Sequence, residues 1–146
     1  MSAVKLILMV KRRPDLSAEA FRELYENWPT HAGLRLMGHL WTSYRRHYVE
    51  GGQMFIAAKS VPVGGNYADD PVPYDCISEI VYPDMAALEE AARIAAIPEN
   101  KAMIEEEEEA LFDRSKCWTL MCKVADFDPP VDAVRFGNVH IPHAPG

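Results

Sequence analysis

Cysteine is scarce in this chain, which has Cys76, Cys117 and Cys122 among its 146 residues. None of the three belongs to a C-x-x-C pair, and an odd number of thiols cannot form a fully paired disulfide framework. The sequence therefore shows neither a cysteine-ligated zinc site nor a dithiol redox centre, and we expect buried thiols.

Long apolar runs are also missing, since no stretch reaches the roughly 18 to 20 residues that a membrane-spanning helix needs. The first ten residues lack the apolar core and cleavage site of a secretory signal, so we expect a cytoplasmic protein. Positive charge is in deficit, with 15 Lys and Arg against 22 Asp and Glu. This balance is the opposite of what a phosphate backbone attracts, so we expect neither nucleic acid nor membrane as a partner.

The basic residues that are present gather in two short clusters. One consists of Lys11, Arg12 and Arg13, and the other of Arg45 and Arg46. Either cluster could meet an acidic small molecule, although a solvated edge is the alternative for the first.

Hydrophobic residues make up 49% and charged residues 25% of the chain, as in an ordinary globular domain. Apolar, aromatic or β-branched runs predict strands over 4–10, 41–49, 74–82 and 117–124, with a short additional hairpin strand over 53–61. Ser17 and Asp84 are expected to cap helices, and Pro98 to interrupt the second helix before a third at about 99–112. Five consecutive glutamates in that third helix, Glu105 to Glu109, are typical of a solvated face.

The elements therefore follow the order strand–helix–strand twice. This order predicts an α+β, ferredoxin-like βαβ–βαβ fold, with a four-stranded antiparallel sheet and helices on one face. Because apolar residues occupy both faces of the strands, we expect a second copy to cover the other face in a homodimer. The domain is expected to span 1–127, followed by a Pro-rich C-terminal tail over 128–146.

Four blocks of sequence, in order, resemble EthD-type domains. They are KLILMVKRRP with LSAEAFRELYENWPTHAG (5–33), YRRHYV (44–49), YDCISEIVYPDMAAL (74–88) and EEEALFDRSKCWTL (107–120). The resemblance covers about 4–123 and implies a dimeric α/β-barrel. RHYV and LFDRSK are similar to the fungal polyketide-pathway branch, whose members are cofactor-independent decarboxylases, dehydratases or cyclisation catalysts. One departure is NWPTHAG, where Pro29 precedes His31, whereas many relatives have H-x-P directly after the helix.

Reactions of that kind need a proton moved near neutral pH and an enolate-like charge stabilised. Histidine suits the first task, and a tyrosine hydroxyl or an arginine suits the second. His47 is the first catalytic candidate, His31 is the second, and Asp75 either orients a histidine or pairs with an arginine. Asp75 and Glu79 are expected to point toward the interior. The candidate substrate-binding residues are Tyr44, Arg46, Trp28, Tyr25 and Phe21, although the aromatic helix face is also typical of a core.

Strand alternation separates these candidates. Arg45 and His47 share one face of the second strand, whereas Tyr44 and Arg46 share the other, unless the strand is bulged. His140 and His143 lie in the Pro-rich tail, where we expect no metal site.

The sequence and the resemblance together predict a lyase of secondary metabolism, with no cofactor and no metal, that tailors an aromatic polyketide-type intermediate. Three alternatives stay open: a cofactor-free quinone-forming monooxygenase, a non-catalytic small-molecule binding protein, and a haem protein with one histidine ligand.

Overall fold

The computed structural model describes residues 2–27, 31–56, 60–62, 64–70 and 72–128. The expected tail lies outside these residues except for Asp128, and so do Trp28, His140 and His143. No helix among the described residues is long and apolar enough to cross a membrane.

Six strands and four α-helices make up this part of the chain. The strands are β1 (Val4–Val10), β2 (Ser43–Tyr48), β3 (Gly51–Gln53), β4 (Ser60–Pro62), β5 (Cys76–Tyr82) and β6 (Trp118–Cys122). The helices are α1 (Ala18–Asn27), α2 (Ala32–Met37), α3 (Met85–Ala96) and α4 (Pro98–Leu111). The units β1–α1–β2 and β5–α3–α4–β6 are the two predicted halves.

The main sheet has the strand order β2–β5–β1–β6, and every neighbouring pair in it is antiparallel. Strands β3 and β4 pair only with each other in a small separate hairpin. The predicted fold class is therefore confirmed: a four-stranded antiparallel sheet of ferredoxin-like order, with helices packed on one face.

Helix starts lie where the capping residues predicted them. Ser17 Oγ accepts a 3.0 Å hydrogen bond from the Ala20 amide, and Asp84 Oδ1 accepts one of 2.9 Å from the Ala87 amide. Pro98 is the first residue of α4, as its missing N–H allows. Helix α2 and the 3₁₀ turn Gly38–Leu40 behind it were not predicted, because six residues carry too little periodicity to identify a helix.

Strand β5 shows which face of the sheet the helices cover. Cys76, Ser78, Ile80 and Tyr82 are buried toward the helices, whereas Ile77, Glu79 and Val81 lie on the opposite face. The alternation was predicted correctly, but the expectation that Glu79 points inward was wrong. We call the face that carries Glu79 the uncovered sheet face.

Lys11 and Arg12, two of the three residues of the basic cluster at the end of β1, form neither a solvated edge nor an open anion site, whereas the Arg13 side chain is exposed beside Asp15. Lys11 and Arg12 are 3% and 0% exposed. Arg12 Nη1 lies 2.7 Å from Asp75 Oδ1 and 3.0 Å from Asp70 Oδ2, and Lys11 Nζ lies 3.5 Å from Asp75 Oδ2. Two buried cations are thus matched by two buried carboxylates, which is the arrangement that burial of charge demands.

Candidate active site

A pocket of about 150 Å³ lies between the helices and the sheet, and we call it the helix-side pocket. Tyr44 and Arg46 reach it because alternation along β2 turns them toward the helices. Its lining includes Leu8 and Ile80 from the sheet, Tyr25 from α1, and Ile104, Glu107 and Glu108 from α4. His31, which directly precedes α2, also lines it.

Arg46 is the polar centre of this pocket. Its Nε donates to Tyr44 Oη at 2.6 Å, and its Nη1 donates to the Tyr25 carbonyl at 2.9 Å. The guanidinium carbon also lies 3.5 Å from the centre of the Tyr25 ring, in a cation–π contact. These contacts fix the plane of the guanidinium, which has five N–H donors in total.

Burial and neighbouring phenols set the protonation of the cluster. Burial acts to lower the pKa of Arg46, but Tyr25 and Tyr44 outweigh it and raise the pKa above its ordinary value. Burial also raises the pKa of Tyr25, and the Tyr44 hydroxyl 3.4 Å away adds to the rise. The pocket therefore holds a permanent cation beside a neutral phenol.

His31 contacts the same guanidinium. Its Nδ1 lies 3.4 Å from Arg46 Nη2. Because arginine only donates, a hydrogen bond here requires Nδ1 as the acceptor, which the neutral imidazole with its proton on Nε2 provides. The backbone of His31 is left-handed, with φ 36° and ψ 56°. This turn aims the ring back toward β2.

Glu107 and Glu108 line the helix-side pocket, so the expectation that the glutamate run forms a solvated face was wrong for these two residues. Glu107 Oε2 accepts a 2.6 Å hydrogen bond from the Ala32 amide, which holds the start of α2 next to His31. Burial raises the pKa of Glu108, against the opposing effect of Arg114. A signal did exist in the sequence: Ile104, Glu107, Glu108 and Leu111 have the i, i+3, i+4, i+7 spacing of one helix face.

His47, the first catalytic candidate, is not in this pocket. It lies on the uncovered sheet face with its side chain 51% exposed, and its Nε2 is 2.8 Å from Glu79 Oε2. The pairing of β2 with β5 is continuous from Ser43 to Tyr48, so no bulge turns His47 inward. The structure thus brings His31 together with Tyr25, Tyr44 and Arg46, and it separates His47 from them.

Asp75 and Phe21 have other partners. Asp75 accepts hydrogen bonds from the backbone amide and Nη1 of Arg12, so the expected histidine contact is replaced by its alternative, an arginine pair. Phe21 is 1% exposed in the core, where its ring lies 5.5 Å from that of Tyr25. It supports the pocket wall from behind and does not line the pocket.

Among the described residues, no group of three His, Cys, Asp or Glu side chains is placed to hold a metal ion. The guanidinium and the phenol that converge in the helix-side pocket suit an anion, because the two carboxylates of its lining are already paired, Glu107 with the Ala32 amide and Glu108 with Arg114.

Fold and pocket together define a small ferredoxin-like α+β protein with a polar cluster around Arg46 between its helices and its sheet. The chain belongs to the EthD domain family, since the profile of the EthD domain matches residues 13–115. No curated protein sequence matches the chain significantly.

Solved structures agree on the fold. An ethyl tert-butyl ether d (EthD) family protein of Bacillus halodurans is similar with a TM-score of 0.53 at 16% identity, covering 85% of this chain and 100% of that one. The crystal structure of At3g17210 from Arabidopsis thaliana is similar with a TM-score of 0.50 at 14% identity, covering 86% and 99%. At such identities the likeness concerns the fold alone.

Proposed function

We propose that this protein is a cofactor-independent lyase that acts on a carboxylated aromatic molecule of polyketide type. One observation carries the proposal: His31 Nδ1, the Arg46 guanidinium and the Tyr44 hydroxyl meet in one pocket. A proton acceptor beside an anion site is what dehydration and cyclisation require.

The substrate carboxylate would bind Arg46, whose planar fork matches a carboxylate. The 3.4 Å contact between Arg46 Nη2 and His31 Nδ1 is longer than a strong hydrogen bond, so a carboxylate competes well for that N–H. Substrate binding then frees the Nδ1 lone pair, and the neutral imidazole becomes a general base.

The reaction would proceed by proton transfer alone. His31 Nδ1 removes a proton from the carbon next to a carbonyl, and the electron pair moves onto the carbonyl oxygen, where Tyr44 and Arg46 stabilise it. The enolate then expels a β-hydroxyl group, which takes the same proton from the imidazolium and leaves as water. Dehydration begins with proton removal and therefore needs a neutral imidazole. Decarboxylation ends in protonation of a carbanion and would need the imidazolium at its start, so the neutral form of His31 favours dehydration.

The test uses a carboxylated 3-hydroxy-1-tetralone, whose dehydration gives a fluorescent naphthol. We expect turnover by the purified protein, a fall in kcat of at least about 100-fold in His31→Asn, and a raised KM in Arg46→Lys. His47→Asn, on the opposite sheet face, is the matched control and should keep its activity. Ligand binding without turnover, or loss of activity in His47→Asn alone, would contradict the proposal.

We also propose that the protein works as a homodimer joined through the uncovered sheet face. Trp118 is 61% and Leu120 40% exposed on that face, beside Ile7, Met9, Ile77 and Val81. An apolar sheet face of this extent is typical of an interface.

A further inference from the structure

A second hollow, of about 500 Å³, lies over β6, and we call it the β6 groove. It shares three wall residues with the helix-side pocket: Leu8, Glu108 and Phe112. The two hollows are therefore neighbours that share part of their walls.

The groove exists because the helix layer leaves β6 bare. Thr119 and Met121 pair with Leu8 and Leu6 of β1, so they point to the helix side of the sheet. Both are nevertheless exposed, whereas Leu8 is half-buried. Leu8, Val10 and Thr119 thus give the groove a floor on the helix side of the sheet, and at the edge strand β6 it also reaches Met9 and Trp118 of the uncovered sheet face.

The helix-side pocket is too small for a polyketide-type substrate of several rings. A cavity of about 150 Å³ accommodates one benzene ring, and the enclosed part of this partly open pocket has that volume. A further fused ring would extend beyond this pocket, and the β6 groove is the neighbouring space that shares Leu8, Glu108 and Phe112 with it.

We propose that the β6 groove is a second subsite, which binds the distal aromatic ring of the substrate while Arg46 holds the carboxylate. This rests on the proposed function, and it narrows the substrate class to aromatic acids of two or three fused rings. Leu8, Val10 and Phe112 supply apolar walls for such a ring.

Polar groups at the edge of the groove specify the substituents of that ring. Arg114 Nε lies 3.2 Å from Glu108 Oε1, at the junction of the two hollows. The Thr119 side chain lines the groove on the floor strand. A guanidinium and a hydroxyl so placed suit a phenolic or keto oxygen on the distal ring.

The experiment compares a one-ring probe, 2-hydroxybenzoate, with a two-ring probe, 1-hydroxy-2-naphthoate, by titration calorimetry. We expect the wild-type protein to bind the naphthoate at least about tenfold more tightly, because the second ring is buried in the groove. Thr119→Phe fills the groove and should remove that advantage while leaving the affinity for hydroxybenzoate unchanged. Met121→Phe is the matched control on the same strand and face, outside the groove lining, and should leave both affinities unchanged.

Three results would overturn the proposal. Equal affinity of the wild type for both probes is the first, and an unchanged preference in Thr119→Phe with a native unfolding temperature is the second. The third is a change in oligomeric state rather than in ligand affinity in Thr119→Phe, which would assign the groove to a second copy. Arg46→Leu tests the proposed function separately from the groove. It should lower the affinity for both probes equally, and unchanged affinities would refute the helix-side pocket as the carboxylate-binding site.

Discussion

His31 combines a left-handed backbone with a side chain in the pocket, and the two requirements can be separated by substitution. Left-handed geometry costs little for asparagine but more for a β-branched residue. We expect His31→Asn to be about as stable as the wild type and His31→Val to lose about 1–2 kcal/mol in urea unfolding. Equal stability of the two variants would show that the backbone relaxes out of the left-handed region.

Glu108 should make stability depend on pH. Burial raises the pKa of its carboxyl above the ordinary value of 4.5, so ionisation costs the folded state free energy. Below that ordinary value the carboxyl is protonated in both the folded and the unfolded state, and the cost appears as the pH rises past it. We therefore expect Glu108→Gln to stabilise the protein at pH 7 by less than about 1 kcal/mol, because the site is partly solvated.

The measurement is the unfolding temperature of Glu108→Gln from pH 3.5 to 8, with the gain vanishing at the acid end. Glu106→Gln, at an exposed position of the same helix, should leave the unfolding temperature unchanged across this pH range. Destabilisation of Glu108→Gln at pH 7 would mean that the ion pair with Arg114 outweighs the burial of the carboxyl.

Single residues also show where prediction from sequence ends. Alternation along β2 separated His47 from Tyr44 and Arg46 correctly, but it could not tell which side the helices cover. That depends on the packing of α1 and α3 against Cys76 and Ile80, contacts that join distant parts of the chain. The contact of His31 with Arg46 depends further on a left-handed turn, for which a histidine gives only a weak local signal.

At the scale of elements, the segment before β5 is tied to the end of β1 by the buried pair of Arg12 and Asp75. Removing Asp75 leaves a fully buried guanidinium with one carboxylate less. We expect Asp75→Ala to lose about 3–5 kcal/mol in urea unfolding. The neighbouring pair of Arg13 and Asp15 is exposed, so Asp15→Ala is the matched control and should have little effect. A small loss in Asp75→Ala would mean that Asp70 alone neutralises Arg12.

Elements with local signals were predictable, and those with tertiary causes were not. Ser17, Asp84 and Pro98 marked helix starts because capping and the missing proline N–H act within one turn. Helix α2 is too short for a periodic signal, and the Glu107 carboxylate that caps it comes from α4, 75 residues away. The sheet order was predictable because two βαβ units leave few compact arrangements.

At the scale of the whole molecule, the two sheet faces have different roles in our proposals. The helix-covered face holds the polar cluster and the candidate site. The uncovered sheet face is largely apolar, but Glu79 lies near its middle, 3.0 Å from Lys5 Nζ and 2.8 Å from His47 Nε2. Two hydrogen bonds lower the pKa of Glu79, first that from His47 and then that from Lys5. The carboxylate thus stays ionised and paired, which makes the face compatible with burial against a second copy.

The proposed dimer therefore predicts strong sensitivity to one additional, unpaired charge on this face. Ile77 lies directly across from Met9 and His47 in the sheet. In Ile77→Glu two new carboxylates would be buried at a shared interface, where the neighbouring His47 and Lys5 are already paired with Glu79, so we expect the dimer dissociation constant to rise at least about 100-fold. Sedimentation velocity over a range of protein concentrations measures this dissociation constant.

Ile97→Glu is the matched control. It places the same charge on an exposed isoleucine in the helix layer and should leave the dimer intact. A wild-type protein that stays monomeric at every concentration from about 1 to 100 μM would contradict the proposed interface, because dimers with micromolar dissociation constants form in this range. Equal dissociation by both variants would contradict it as well.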